Sequence, residues 1–189
     1  IRWRDLEGWW QGVIGSRWVR LKAAEDCILA ETAETIDNWN WLAHYLQLDV
    51  DLPRILAAFP EDEPMRTAVA VCRGLRLLRQ DPWECLASFI LSSTKRIVQI
   101  RQIVTLLCAR YGEPVCVPPD HSPWCSFPTA RRLAECSEME LRACKMGFRA
   151  PYLSKAAAMV ASAVACASPG NGACPLGKSG VEIVTVGLV

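Results

Sequence analysis

The chain has 189 residues, 51% of them hydrophobic, and a formal net charge of +1, a balance that allows a packed core and argues against wholesale disorder. The charge is uneven. Residues 1–93 hold 10 Lys and Arg against 14 Asp and Glu, and residues 94–189 hold 11 against 6, so an anionic partner is expected to meet the second half.

The first 35 residues read as strand material. Ile1-Arg2-Trp3-Arg4 alternates, Gly12-Val13-Ile14 is followed by the alternating Trp18-Val19-Arg20-Leu21-Lys22, and Cys27 to Thr32 makes a further segment. Short polar breaks at Gly15-Ser16 and Ala24-Glu25-Asp26 suit an antiparallel meander. Trp9 and Trp10 read as core or helix-facing aromatics. Helical patterns follow, with Trp39, Leu42, Ala43 and Leu46 on one face, a short segment from Arg54 to Phe59, and another from Pro64 through Cys72.

From Gly74 to Gly112 the pattern predicts two apolar-periodic helices joined at Ser92-Ser93-Thr94-Lys95-Arg96. Asp81 is the expected N-cap of the first and Pro82 its first helical residue. Trp83, Leu86, Phe89 and Ile90 form its expected buried stripe. Ser93 or Thr94 is the expected cap of the second helix; Ile97, Ile100, Val104 and Leu107 form its stripe, and Gly112 ends it. The joint sets two positive charges near a helix start, where cations oppose the helix dipole and an outside anion such as phosphate would compensate them; a solvated turn is the plain alternative.

Glu113 to Ser126 reads as a Pro-rich loop. Pro128 opens a further helical region with Glu135 and Glu138 outward and Met139 and Leu141 inward, and Met146-Gly147-Phe148-Arg149 breaks it. Pro151 starts a long Ala-rich helix with Leu153, Ala157, Val160 and Val164 on one side, ended by Gly and Pro from Ser168. Ten cysteines include no CxxC pair. Cys27, Cys72, Cys85 and Cys108 read as reduced core thiols. The spacing of Cys116, Cys125, Cys136 and Cys144 matches no compact metal signature, and only His44 and His121 could add imidazole, so no metal is expected. No signal peptide or spanning segment is legible.

Three segments in order carry a resemblance: IRWR with Trp10, Gly12 and Val13; LLRQDPWECLASFILSS with the basic pair and IVQIRQIVTLLCARYG; and MGFRAPYLSKAAAMV. Together, over residues 1–166, they resemble the 8-oxoguanine DNA glycosylase family of the helix–hairpin–helix superfamily. The resemblance implies an α+β fold, with a small antiparallel TATA-box-binding-protein-like sheet domain over residues 1–73, a helical glycosylase domain over 74–167, and a divergent or disordered tail over 168–189. It implies base excision repair: a damaged guanine is flipped out of duplex DNA, its bond to the sugar is broken by a lysine helped by an aspartate, and the strand is nicked by β-elimination. Flipping costs a few kcal/mol, which a wedge and a pocket offset.

Carried over residue by residue, the resemblance puts Thr94 where the family has a gap-filling asparagine, and Lys95 and Arg96 at a basic pair of bacterial relatives. Gln99 stands where some members have a cytosine-reading arginine; it lacks a charged fork. Phe148 matches an aromatic wedge beside the unpaired cytosine, and Arg149 the arginine that reads that base; Lys155 is expected to reach phosphate. The plain alternatives are a packed loop aromatic at Phe148, a surface arginine at Arg149 and a solvated helix face at Lys155. No catalytic residue is assigned, because the tail around Lys178 lacks the family's Leu-Pro-Gly-Val-Gly hairpin and a later aspartate, so the chain reads as part of a longer enzyme. The expected partner is damaged double-stranded DNA, with no cofactor, metal or membrane. A monomer is expected in the bacterial cytoplasm on the nucleoid, or in the nucleus of a eukaryote. The competing class is a non-catalytic DNA-binding or structural helical module.

Overall fold

The computed structural model describes residues 2–25, 27–167 and 184–187. Strands β1 (Arg4–Leu6), β2 (Trp9–Ile14), β3 (Arg17–Ala23) and β4 (Cys27–Thr32) pair antiparallel in sequence order. The meander read from the alternation is therefore present, with Trp10 opposite Leu21 and Val19 opposite Thr32. The first turn is two residues, Glu7 and Gly8, both at positive φ, which matches the right-handed twist of the strands it joins. At Gly12 a Cβ would meet the Trp3 ring at 2.9 Å, so the packing of that indole on the strand requires a glycine.

The described residues group into two compact units, one of Ile1–Thr35 with Asp81–Gly187 and one of Ile36–Gln80. This grouping cuts the chain differently from a boundary at residue 73, because the sheet shares a unit with the helices that begin at Asp81. The smaller unit holds α1 (Asn40–Tyr45), α2 (Leu52–Leu56) and α3 (Glu63–Val71). Asp51 and Asp62 cap the last two, accepting from the N–H groups of Arg54 and Met65.

In the larger unit, α4 (Pro82–Ser92) starts where expected, with the Asp81 carboxylate accepting from the Glu84 N–H at 2.8 Å. Next come α5 (Ile97–Tyr111), the short hairpin β5 (Pro114–Val115) and β6 (Trp124–Cys125), α6 (Ala130–Ala134) capped by Thr129, and α7 (Glu138–Leu141) capped by Ser137. A π-helical turn at Arg142–Met146 and a 3-10 turn at Gly147–Arg149 lead into α8 (Ala150–Ala167). Finally β7 (Val184–Gly187) lies antiparallel to β4. The rest of the stretch read as a tail, Lys178 included, lies outside the described residues. Among the described residues no helix is long and apolar enough to cross a membrane.

Leu91, Ile103, Leu107, Leu133, Leu141, Met146 and Leu153 are fully buried in one cluster, each side chain contributing about 1.5–3 kcal/mol relative to exposure. The stripe on α4 runs through Trp83, Ala87, Ile90 and Leu91. Leu86 is 41% exposed and Phe89 75%, against expectation. The helix is apolar almost all round, so hydrophobicity did not select a face; contact with α5 and α8 did. For the same reason Ile97 stands outside the α5 stripe, which is Ile100, Ile103, Val104, Leu107 and Cys108. Met139 and Val164 are exposed, as is Trp10, while Trp9 lies under the Arg20 guanidinium at 4.6 Å.

Cys108 is buried as expected, and burial pushes its thiol up to about 11. Cys72 and Cys85 are exposed and Cys27 is half-buried, because the faces they sit on are not the packed ones. Among the described residues no three His, Cys, Asp or Glu side chains converge as a metal site. The N-terminal segment is tied to the helices by Arg2, which reaches Glu84 at 3.3 Å and donates to the Cys125 carbonyl. Burial pushes the Glu84 carboxyl above its ordinary range, against the pull of Arg2.

Candidate nucleic-acid interface

Two turns in the larger unit bring the sequence-predicted residues together. The first joins α4 to α5 and closes with the Lys95 N–H donating to the Ser92 carbonyl at 3.1 Å. Thr94 sits in it at φ 56, a left-handed conformation that β-branched residues rarely adopt. Neither Ser93 nor Thr94 caps α5. Arg96 holds the N-cap position, and the Gln99 side-chain oxygen accepts from its backbone N–H at 3.1 Å. The oxygen of that amide is thus engaged at the helix start, and its NH2 keeps both donors.

The second turn joins α7 to α8. Lys145 at φ 64 and Gly147 at φ 59 and ψ −129 reverse the chain; the second conformation is one that a side chain would strain. The reversal leaves Phe148 56% exposed and Arg149 only 3% exposed. Neither plain alternative holds: Phe148 is not packed away and Arg149 is not on the surface. The two turns meet where the Arg149 Nη2 donates to Thr94 Oγ1 at 2.6 Å. The guanidinium carbon lies 4.3 Å from the centre of the Phe148 ring, within cation–π range. The Arg149 Nε is buried without a partner.

Around this junction the charge is positive and uncompensated. Lys95 is half-buried, and Arg96, Lys145 and Lys155 are exposed. Among the described residues none of them, nor Arg149, forms an ion pair. Lys155 lies on the outer face of α8, one turn past Pro151, and touches neither turn's side chains through any hydrogen bond among the described residues. The sequence reading missed Lys145; a lysine just ahead of Met146-Gly147 marks a reversal, but nothing local says which residue takes the left-handed conformation.

It missed a second feature as well. A cavity of about 890 Å³ opens beside α5, lined by Arg2, Trp3, Arg4, Arg101, Trp124 and Lys145 among others, with the Arg4 guanidinium 4.9 Å over the Trp124 ring. The walls come from four distant stretches of chain, which periodicity does not bring together.

The junction offers hydrogen-bond donors, positive charge and one exposed aromatic ring. Such a set suits a ligand of acceptors and negative charge with a flat face, which is the chemistry of a nucleic acid backbone and an unstacked base.

Comparison with known proteins agrees with this chemistry. Residues 1–86 match the family described as 8-oxoguanine DNA glycosylase, N-terminal domain. An N-glycosylase/DNA lyase of Saccharomyces cerevisiae is 34% identical over 119 residues, covering 61% of this chain and 31% of that protein. The structure of MBOgg1 in complex with a low-affinity DNA ligand superposes with a TM-score of 0.78 at 30% identity, covering 86% of this chain and 56% of that one. The Clostridium acetobutylicum 8-oxoguanine glycosylase/lyase, in complex with double-stranded DNA containing cytosine opposite 8-oxoG, superposes with a TM-score of 0.76 at 26% identity over 86% and 56% of the two chains. The chain spans between about a third and somewhat over half of the length of these relatives.

Proposed function

We propose that the chain belongs to the 8-oxoguanine DNA glycosylase family, over that family's N-terminal portion, and that the whole protein excises oxidised guanine from duplex DNA and nicks the abasic product. The described residues supply recognition. Lys95 and Arg96 hold phosphate at the start of α5, Phe148 wedges beside the base left unpaired in the other strand, and Arg149 reads that base. Lys155 adds a phosphate contact along α8. No described residue is assigned to bond cleavage.

One observation carries the reading: Arg149 is 3% exposed and, among the described residues, has one hydrogen bond, to Thr94, and an unmet Nε. A buried guanidinium without an anion or a full set of acceptors is unfavourable by several kcal/mol. A ligand that brings acceptors to it recovers that energy on binding, and a base separated from its partner does so. Gln99 enters the proposal only as a cap on α5, through its side-chain oxygen.

The test is binding of the purified chain to duplexes with cytosine or adenine opposite an abasic analogue, across a series of salt concentrations, alongside an undamaged duplex. Expected are tighter binding to the lesion duplex with cytosine and a preference abolished in Arg149→Ala. Equal affinity for lesion and undamaged duplexes would refute the reading. Incubation with 8-oxoguanine opposite cytosine and borohydride reports on cleavage separately; a trapped adduct would mean that the chain carries the attacking lysine.

A further inference from the structure

Resting on that reading, we infer that Thr94 is the positioning residue for Arg149, its hydroxyl setting the angle at which the guanidinium meets a base. The turn itself does not need a threonine at position 94. It is closed by the Lys95 N–H and the Ser92 carbonyl, and its left-handed φ of 56 would be met with less strain by glycine or asparagine. What that conformation achieves is to direct Oγ1 at the Arg149 guanidinium, 2.6 Å away.

The guanidinium is then fixed in two ways. Thr94 holds Nη2, and the Phe148 ring lies 4.3 Å from the central carbon. Its Nε–H is buried and unmet among the described residues, so nothing besides these two contacts is seen to fix the guanidinium. Thr94 accepts from Arg149, which frees its own hydroxyl hydrogen to donate outward, and the residue is exposed. Arginine has donors and no acceptor, whereas the hydroxyl that accepts from it keeps its own hydrogen and a second lone pair. Selection by a donor-only surface therefore rests on the guanidinium, and Thr94 sets where that guanidinium points.

The Watson–Crick edges of the bases answer this differently. Cytosine carries two adjacent acceptors, N3 and O2. Adenine carries one ring acceptor beside an amino donor. Thymine separates its two oxygens by an N–H, and guanine sets two donors beside one oxygen. Only cytosine offers a guanidinium two adjacent acceptors on that edge. Thr94 here is no gap filler; it sets the angle at which Arg149 reads.

The experiment compares the unaltered chain with Thr94→Val, Thr94→Ser and Arg149→Ala. Each binds duplexes with cytosine or adenine opposite an abasic analogue, and each is melted. Valine keeps the shape and the backbone strain but removes the hydroxyl; serine keeps the hydroxyl. The cytosine preference should fall about tenfold or more in Thr94→Val and survive in Thr94→Ser. In the free chain, rotation of the Arg149 guanidinium followed by 15N NMR should be slow in the parent and in Thr94→Ser and fast in Thr94→Val, which reads the Thr94–Arg149 hydrogen bond without DNA. Thr94→Val that keeps both the preference and the slow rotation while Arg149→Ala loses the preference would overturn this inference alone. Thr94→Ser that loses the preference would also overturn it, since the hydroxyl would not be the operative group. An unaltered chain that shows no preference for cytosine would overturn the reading beneath it as well.

Discussion

The turn before α5 leaves Arg96 in solvent and Lys95 half in it, whereas the turn before α8 draws the Arg149 guanidinium inward until 3% of the residue is exposed. Both turns precede a helix, both hold a non-glycine residue at positive φ, and both are basic. The difference lies in what water can do. An exposed cation at a helix start opposes the dipole by about 0.3–1 kcal/mol and salt screens it, so such a residue is tolerated almost anywhere. A buried guanidinium with an unmet Nε is costly in the free protein and holds only because Met146, Ala150 and Leu153 fix the backbone around it. The first turn is suited to holding a backbone of any sequence, and the second to one particular set of acceptors.

The largest effect should come from breaking the platform under both turns at once. Leu153→Ala removes a fully buried side chain below α8 and should cost about 2–5 kcal/mol. A urea melt checks this, and a change below about half a kcal/mol, the range of ordinary surface substitutions, would mean that the second turn does not depend on that packing.

Replacing the buried charge itself separates stability from recognition. Arg149→Met keeps volume and removes the unpaired guanidinium, so the chain should be neutral or more stable by about 1–3 kcal/mol, while cytosine preference drops by about 1–3 kcal/mol of discrimination. Calorimetric melting and duplex binding on the same sample measure the two; a destabilised variant would show that the guanidinium supports the fold.

The first turn should answer in the opposite way. Lys95→Ala with Arg96→Ala should weaken binding to every duplex and flatten the plot of log affinity against log salt by about 0.9 for each phosphate no longer neutralised. Preference for cytosine should stay, and stability should move by no more than about 0.5 kcal/mol. A changed preference with an unchanged salt slope would exchange the roles of the two turns.

The smallest effect concerns the cap. Gln99→Ala removes the acceptor for the Arg96 N–H and should cost about 0.5–1 kcal/mol of stability, with cytosine preference untouched. Disappearance of that preference would restore Gln99 to the base-facing role read from the sequence.

Local signals carried much of this molecule. Strand β3 follows the alternation at Trp18 to Lys22, β4 covers the segment read at Cys27 to Thr32, and the Asp81-Pro82 start of α4 and the Gly112 end of α5 sit where the residue chemistry puts them. At Gly112 the reason is steric as well, since a Cβ there would collide with the Ser126 carbonyl oxygen. Faces were harder to read. Leu86 and Phe89 are as apolar as Trp83 and Ile90, yet they stay exposed because α4 meets α5 and α8 along a different line. Thr94, Phe148 and Arg149 were legible as candidates through their place in recognisable segments.

By itself, then, the sequence determined the order and the ends of the elements and which residues carry charge, because alternation, caps and chain reversals act within a few residues. Whether a charge is exposed or buried was decided only by the tertiary structure. Arg96 and Arg149 look equivalent along the chain, and what separates them is packing between distant segments: the Arg149 side chain ends on Thr94, 55 residues away in sequence, where α5 and α8 pack on one core.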